Sequence, residues 1–270
     1  MRRKSGALAV YAAAFLVFLY APAILLPVFA FNDSKIIAFP LSGFTLEWFR
    51  QILGADALHD ATLNSLFIAM TTAVLATALG TFAARAATRY KFPAKAGIMG
   101  LVMTPLVLPE IIVGVSLLVA ILQLGMELSL FTIILGHVLI CTPFSAAILG
   151  SAFQNLDNSL EEASIDLGRS RFDTFRLITL PLVLPGVLAS LLVSFTISLD
   201  EFIIAFFLAG NETTLPIYIW GQLRFPQKIP TLMAVGTVLL AASLTLLATA
   251  EFLRRSSIRR TGADAAKGLM

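Results

Sequence analysis

Long uncharged segments limit what this chain can fold into more than any other feature of its sequence. Residues 7–31 form a run of 25 residues without Asp, Glu, Lys or Arg, and residues 61–84 form another of 24. A helix needs about 20 apolar residues to cross the hydrocarbon core of a bilayer. Only 13% of the residues are charged, against about 25% in an ordinary soluble domain. The sequence therefore predicts an all-α integral membrane protein.

Six apolar segments follow one another between short charged loops, and we interpret residues 1–270 as a single transmembrane domain. The first begins like a signal peptide, but its uncharged run exceeds the roughly 7 to 15 residues of a signal-peptide core. We therefore expect an uncleaved first helix. The predicted spans cover about residues 7–31, 61–84, 97–122, 128–152, 182–208 and 230–252.

The basic residues indicate the orientation of these six spans. Fifteen of the 19 Lys and Arg residues fall on one side, in both terminal segments and in the loops after the second and fourth spans. Because cytoplasmic loops are enriched in Lys and Arg, we expect both termini to be cytoplasmic. A net charge of +3 could suggest a nucleic-acid partner, but the basic residues lie in short clusters between apolar spans, as in a membrane protein. We therefore predict that the chain is embedded in a lipid bilayer and that it binds no nucleic acid.

The loop at residues 154–180 carries more charged residues than any other loop between two predicted spans. Ser159 and Glu162 fit a capping box at the start of a helix. Gly168 accepts the left-handed conformation that ends one. Residues 172–180 can then begin a second helix that leads into the fifth span. We predict a helix, a turn and a helix on the cytoplasmic face, a shape suited to docking another protein.

This loop resembles the E-A-A motif in permease subunits of ATP-binding-cassette importers. The Glu, Ala, Gly, Ile, Leu and Pro positions of the motif are present at their spacing, with Ser164 in place of its second alanine. In that family the segment is a coupling helix, between spans 4 and 5, that contacts the ATPase subunit. The resemblance implies ATPase-coupling roles for Glu161, Glu162, Ala163, Ser164, Asp166, Leu167, Gly168, Arg169, Ile178, Leu180 and Pro181.

Four further segments resemble the second permease subunit of spermidine/putrescine importers: FNDS at 31–34, PEII at 109–112, SFTISLDE at 194–201 and LPIY at 215–218. The similarity implies a polyamine or similar organic cation as solute, with iron, sugars and amino acids as alternatives because related permeases share the scaffold. The implied partners are an ATPase dimer carrying ATP and Mg²⁺, a second and non-identical permease, and a soluble substrate-binding protein. The implied location is a bacterial inner membrane.

Three acidic residues lie well inside the predicted spans, away from their ends, namely Glu110, Asp200 and Glu201. A carboxylate near the bilayer centre costs about 2.5–3.5 kcal/mol on insertion scales, so such groups face a wet cavity or a partner. We expect Asp200 and Glu201 to be neighbours on the helix of the fifth span, with side chains that point about 100° apart. We interpret all three as substrate-pathway residues for a cationic solute. A packing hydrogen bond from a protonated carboxyl is the alternative for Glu110.

Other chemistries have no support in the sequence. There is no Walker-type phosphate loop, zinc-ligand spacing or nucleophile elbow, so we predict neither catalysis nor a metal or cofactor in this chain. A secondary transporter is a less favoured alternative, because no repeated halves are evident. We expect His137 to hydrogen-bond a neighbouring helix and Trp48 to anchor the chain at the membrane interface.

Overall fold

The computed structural model describes residues 4–245, with side chains from residue 8 onward. The basic residues Arg2 and Arg3, the end of the predicted sixth span and the basic segment that follows it lie outside the described residues. In the described part of the chain every named element is helical, and the one β-type pairing is an isolated bridge between Asn32 and Phe44. The all-α prediction is confirmed.

Five of the described helices are long and apolar enough to cross a membrane, or six if one bent pair counts as a single span. The helices are α1 (Lys4–Ala30), α2 (Glu47–Leu53), α3 (Asp56–Arg89), α4 (Lys95–Met103), α5 (Glu110–Gln123), α6 (Leu130–Gln154), α7 (Asn158–Asp166), α8 (Arg171–Thr174), α9 (Leu180–Asp200), α10 (Ile203–Leu208), α11 (Leu215–Gln222) and α12 (Pro226–Thr245).

The bent pair coincides with the predicted third span. Its two halves, Lys95–Leu106 and Glu110–Gln123, meet at an angle of 105°. Pro105 lies in a single 3-10 turn at the end of the first half, and Pro109 immediately precedes the second. Proline lacks an N–H and disfavours helical geometry in the residue before it, so two prolines four residues apart interrupt the helix.

The chain divides into two compact units, and residues 57–218 form one of them. Within this unit α9 lies against α6 along a row of buried serines spaced by four residues. The hydroxyl of Ser198 is 2.8 Å from Nδ1 of His137, and the hydroxyl of Ser194 is 2.8 Å from that of Ser145. Ser190 pairs with Thr77 of α3 at 3.1 Å. The predicted hydrogen bond from His137 to a neighbouring helix is confirmed.

Small residues allow these helices to approach closely, as the Gly and Thr content of the second span indicates. Gly80 of α3 lies directly against the backbone of α6. A methyl group placed on Gly80 would lie 2.8 Å from the carbonyl carbon of Ser145 and 2.9 Å from the amide nitrogen of Ala146. These are backbone atoms, so rotation of a side chain cannot relieve the contact.

Replacing Gly80 with alanine is therefore expected to lower the free energy of unfolding by about 1–3 kcal/mol, the usual cost of overpacking. The matched control is Gly150→Ala on α6, where an added methyl group meets no atom within 4 Å. The control should raise stability slightly, because alanine is the better helix former by about 0.5–1 kcal/mol. Thermal unfolding of the full chain in detergent measures both, and equal stabilities for the two variants would contradict the prediction.

The second unit comprises residues 1–56 and 219–270, of which residues 4–56 and 219–245 are described. Its core contains Trp48 of α2 packed with Ala30 and Ala234. The indole N–H of Trp48 donates to the carbonyl of Asn32 at 2.9 Å, and the side chain is only 6% exposed. The prediction that Trp48 anchors the chain at the membrane interface is wrong, because the ring is enclosed by the protein and its N–H is satisfied there.

Candidate functional site

The first helix of the charged loop begins earlier than the sequence predicts. Asp157 precedes α7, and its carboxylate accepts the backbone N–H of Ser159 at 2.9 Å. This backbone hydrogen bond, together with one from the Ser159 side chain, lowers the pKa of Asp157. The predicted capping box of Ser159 and Glu162 is wrong, because a better N-cap residue two positions upstream satisfies the first amide groups.

The predicted turn at Gly168 is confirmed. This residue has φ +84°, a conformation that glycine adopts without strain, and its N–H donates to the carbonyl of Ile165 at 2.8 Å. The next helix, α8, begins after Ser170, whose hydroxyl accepts the N–H of Asp173 at 3.1 Å. A π-helical turn, Phe175–Thr179, then continues into α9. The predicted sequence of helix, turn and helix is therefore confirmed.

One side of α7 and the following turn is open to solvent. Leu167 is 86% exposed, and Leu160 and Ile165 are also exposed, although all three are apolar. Glu162 stands among them as an exposed carboxylate. We call the exposed residues of this face the loop surface; they are Leu160, Glu162, Ala163, Ile165, Asp166, Leu167, Gly168 and Arg169.

The opposite side of α7 faces the protein. Ser164 is only 3% exposed, and its hydroxyl is 2.9 Å from that of Thr174 on α8. A small side chain is needed here because α7 and α8 meet at this position, and the hydroxyl gains a partner that alanine would lack. Of the other predicted residues, Ile178 and Leu180 are half-buried at the junction with α9, and Pro181 is exposed in its first turn.

Glu161 links this loop to α3. Its carboxylate lies 3.1 Å from Nε of Arg89, and it accepts the hydroxyl of Thr179 at 2.6 Å. Arg89 also donates to the carbonyl of Leu156 at 3.0 Å. The two charged side chains are 12% and 14% exposed, so the ion pair is largely shielded from water. One arginine therefore fixes both the beginning of the loop and the first turn of α7 to the end of α3.

Arg89 is a residue whose role sequence reasoning missed. It was visible only as one member of a basic loop that indicated orientation. No local pattern connects it with Glu161, because 72 positions separate the two residues in the chain.

The three acids predicted to line the substrate pathway lie at helix ends. Glu110 is the exposed first residue of α5, whereas Glu201 is only 8% exposed and lies just before α10. The two residues are close enough for their carboxyl groups to repel each other. They come together because α10 packs on α5, where the ring of Phe207 covers Gly114. Asp200 is exposed at the end of α9.

The expectation that Asp200 and Glu201 are neighbours on one helix is wrong. Helix α9 ends at Asp200, and Glu201 has an extended backbone with φ −69° and ψ 113°. The Glu201 carboxylate turns forward and accepts the N–H of Ile204 at 2.9 Å. This bond satisfies an amide at the start of α10, so the carboxylate itself stabilises the break in the helix.

Comparison with known proteins places the chain among transport proteins. A family model described as "Binding-protein-dependent transport system inner membrane component" matches residues 76–261. The putrescine transport system permease protein PotI of Escherichia coli (strain K12) is 35% identical over 258 residues, covering 90% of this chain and 91% of that protein. The spermidine/putrescine transport system permease protein PotC of the same organism is 32% identical over 248 residues, covering 92% and 93%.

Solved structures give the same fold. A chain of a bacterial ABC transporter that imports the acidic polysaccharide alginate superposes with a TM-score of 0.74 at 13% identity, covering 92% of this chain and 96% of that one. An alginate transporter in complex with an alginate pentasaccharide-bound periplasmic protein gives a TM-score of 0.66 at 18% identity, covering 90% and 91%.

Proposed function

Because the chain belongs to the family of binding-protein-dependent transport system inner membrane components, we propose that it conducts a polyamine through the membrane as half of an importer's translocation pathway. It is a permease subunit of an ATP-binding-cassette importer in the inner membrane. The observation that carries the proposal is the sequence identity of this chain to two permeases. It is 35% identical to the putrescine permease and 32% identical to the spermidine/putrescine permease, in each case over at least 90% of its own length.

The charge distribution supports a cationic solute. Glu110 and Glu201 are close enough to repel each other beside the break that follows α9, and Asp200 ends that helix. No Lys or Arg occurs from residue 96 to residue 168, or from residue 177 to residue 223. Carboxylates in a partly wet pore, with no basic residue nearby to neutralise them, lower the cost of passing an ammonium group.

The loop surface supports a role in coupling to a separate ATPase. Exposed apolar residues around a carboxylate suit a protein interface better than they suit water. The ATPase dimer would bind ATP and Mg²⁺, and this chain would bind no cofactor. Its other partners would be a second, non-identical permease and a soluble binding protein outside the cell. This arrangement requires the loop and both termini to be cytoplasmic, as the clustering of Lys and Arg favours.

Uptake by cells that express the complete importer tests the function directly. The chain would be expressed with its ATPase, its second permease and its binding protein in cells that lack polyamine import, and entry of labelled putrescine and spermidine would be followed. We expect uptake that disappears when the ATPase is omitted or cannot hydrolyse ATP. Uptake by this chain without an ATPase would instead support the secondary transporter, and transport of a different solute would overturn the polyamine assignment.

The acids allow a sharper test of the solute. Asp200→Asn combined with Glu201→Gln should lower the catalytic efficiency of polyamine uptake about tenfold, equivalent to about 1.4 kcal/mol. The amide oxygen of the introduced glutamine can still accept the N–H of Ile204, so the break after α9 should persist. Glu127→Gln, in the exposed turn between α5 and α6, is the matched control. If the complex is intact and the kinetics of polyamine uptake are unchanged in the double variant, these two residues do not belong to the solute pathway.

A further inference from the structure

A groove lies between the end of α3 and the start of α8, next to the cavity that Glu162 and Ile165 of the loop surface line. It has a volume of about 480 Å³. Its walls include three phenylalanines, a tyrosine and two arginines, and no carboxylate of the described residues lines it. The aromatic and basic residues are Phe82, Arg85, Tyr90, Arg171, Phe172 and Phe175.

Neither arginine forms an ion pair with a carboxylate of the described residues, although both also border the adjoining cavity that Glu161 and Glu162 line. The guanidinium of Arg85 lies 4.3 Å from the centre of the Phe175 ring, and its buried Nε has no hydrogen-bond partner among the described residues. Arg171 is the exposed first residue of α8. The nearby Arg89 differs from both, because Glu161 already neutralises it. A ligand with a negative charge and several oxygen acceptors would satisfy Arg85 and Arg171 together.

The position of the groove indicates where such a ligand comes from. Arg85 is the first charged residue after the uncharged run of α3, which places it at the depth of the lipid headgroups. The rings of Phe82 and Phe172 are 69% and 70% exposed. Apolar rings at this level contact acyl chains, whereas arginines just beyond the hydrocarbon attract anionic headgroups.

We propose that this groove binds an anionic phospholipid. Its phosphodiester lies between the guanidinium groups of Arg85 and Arg171, and its acyl chains lie along Phe82 and Phe172. The lipid would join α3 to α8 at a point that the Arg89–Glu161 ion pair does not reach. The proposal rests on the chain spanning a membrane and not on the identity of the transported solute.

Lipid binding by the purified full-length chain in a neutral detergent tests the proposal. The probe is fluorescently labelled phosphatidylglycerol, with phosphatidylcholine and inorganic phosphate as competitors. We expect Arg85→Gln and Arg171→Gln each to weaken phosphatidylglycerol binding about fivefold, the usual effect of one basic residue near a membrane surface. Arg176→Gln is the matched control, because Arg176 is exposed on the same segment but does not line the groove.

Each outcome decides the proposal. Unlabelled phosphatidylcholine and inorganic phosphate should fail to displace the probe. Displacement by phosphate alone would show a site for a free anion and overturn the lipid assignment. Equal affinities of the Arg171→Gln and Arg176→Gln variants would overturn the placement of the lipid in this groove. If Arg85→Gln does not fold, Arg171→Gln alone decides, because the side chain of Arg171 is exposed.

Discussion

Replacing Glu162 with arginine is expected to reduce solute uptake to the level of cells without the permease, and to abolish co-purification of the ATPase. Glu162 is an exposed carboxylate of the loop surface, which also presents the apolar side chains of Leu160 and Ile165. If the ATPase covers it, reversal of its charge leaves two like charges where an attractive pair stood. Removing one member of a desolvated pair costs about 2–5 kcal/mol, which corresponds to at least a 30-fold loss of affinity.

Because the exposed side chain of Glu162 contributes little to the packing of α7, the fold should survive its replacement. Thermal unfolding and membrane insertion of the Glu162→Arg variant should match those of the unmodified chain. Glu127→Arg, an exposed acid between α5 and α6, is the control and should transport normally. Normal uptake by the Glu162→Arg variant would refute the assignment of the loop surface to the ATPase.

Arg89→Glu is expected to affect the same process by a different route. The variant loses the ion pair with Glu161 and the bond to the carbonyl of Leu156, and it places two carboxylates face to face. Breaking a buried pair in this way costs about 3–5 kcal/mol. The loop should detach from α3, so both thermal stability and uptake should fall. Lys91→Glu is the control, since Lys91 is an exposed member of the same basic loop.

A charge exchange separates loss of this contact from general damage. Combining Arg89→Glu with Glu161→Arg restores opposite charges at the same two positions. Uptake and stability should recover in large part but not fully, because an arginine at position 161 cannot accept the hydroxyl of Thr179. If the double variant is no better than Arg89→Glu alone, the pair does not connect the loop to α3.

The features that sequence reasoning predicted correctly depend on local chemistry. Uncharged runs indicate membrane helices because bilayer thickness fixes their length. Gly168 could be predicted to end α7 because few other residues adopt its backbone conformation. The position of Glu162 follows from a motif with fixed spacing.

The features that were missed depend on competition or on distant contacts. Asp157 takes the N-cap position that Ser159 was expected to hold, and the choice between two suitable caps depends on the folded backbone. The break after Asp200 has neither proline nor glycine to mark it, because a glutamate side chain stabilises it instead. The contact between Arg89 and Glu161 exists only once α3 and α7 are assembled.

The helix that runs from Arg171 to Asp200 has a mechanical consequence. It is held against α6 at more than one level: Gly186 lies directly against Ala152, and further along the hydroxyls of Ser194 and Ser198 bond to Ser145 and His137. Closely packed interiors have low compressibility and transmit strain. A displacement of α8 would therefore move α9 and α6 together as one rigid body, and the motion would reach the break at Glu201, where α9 ends.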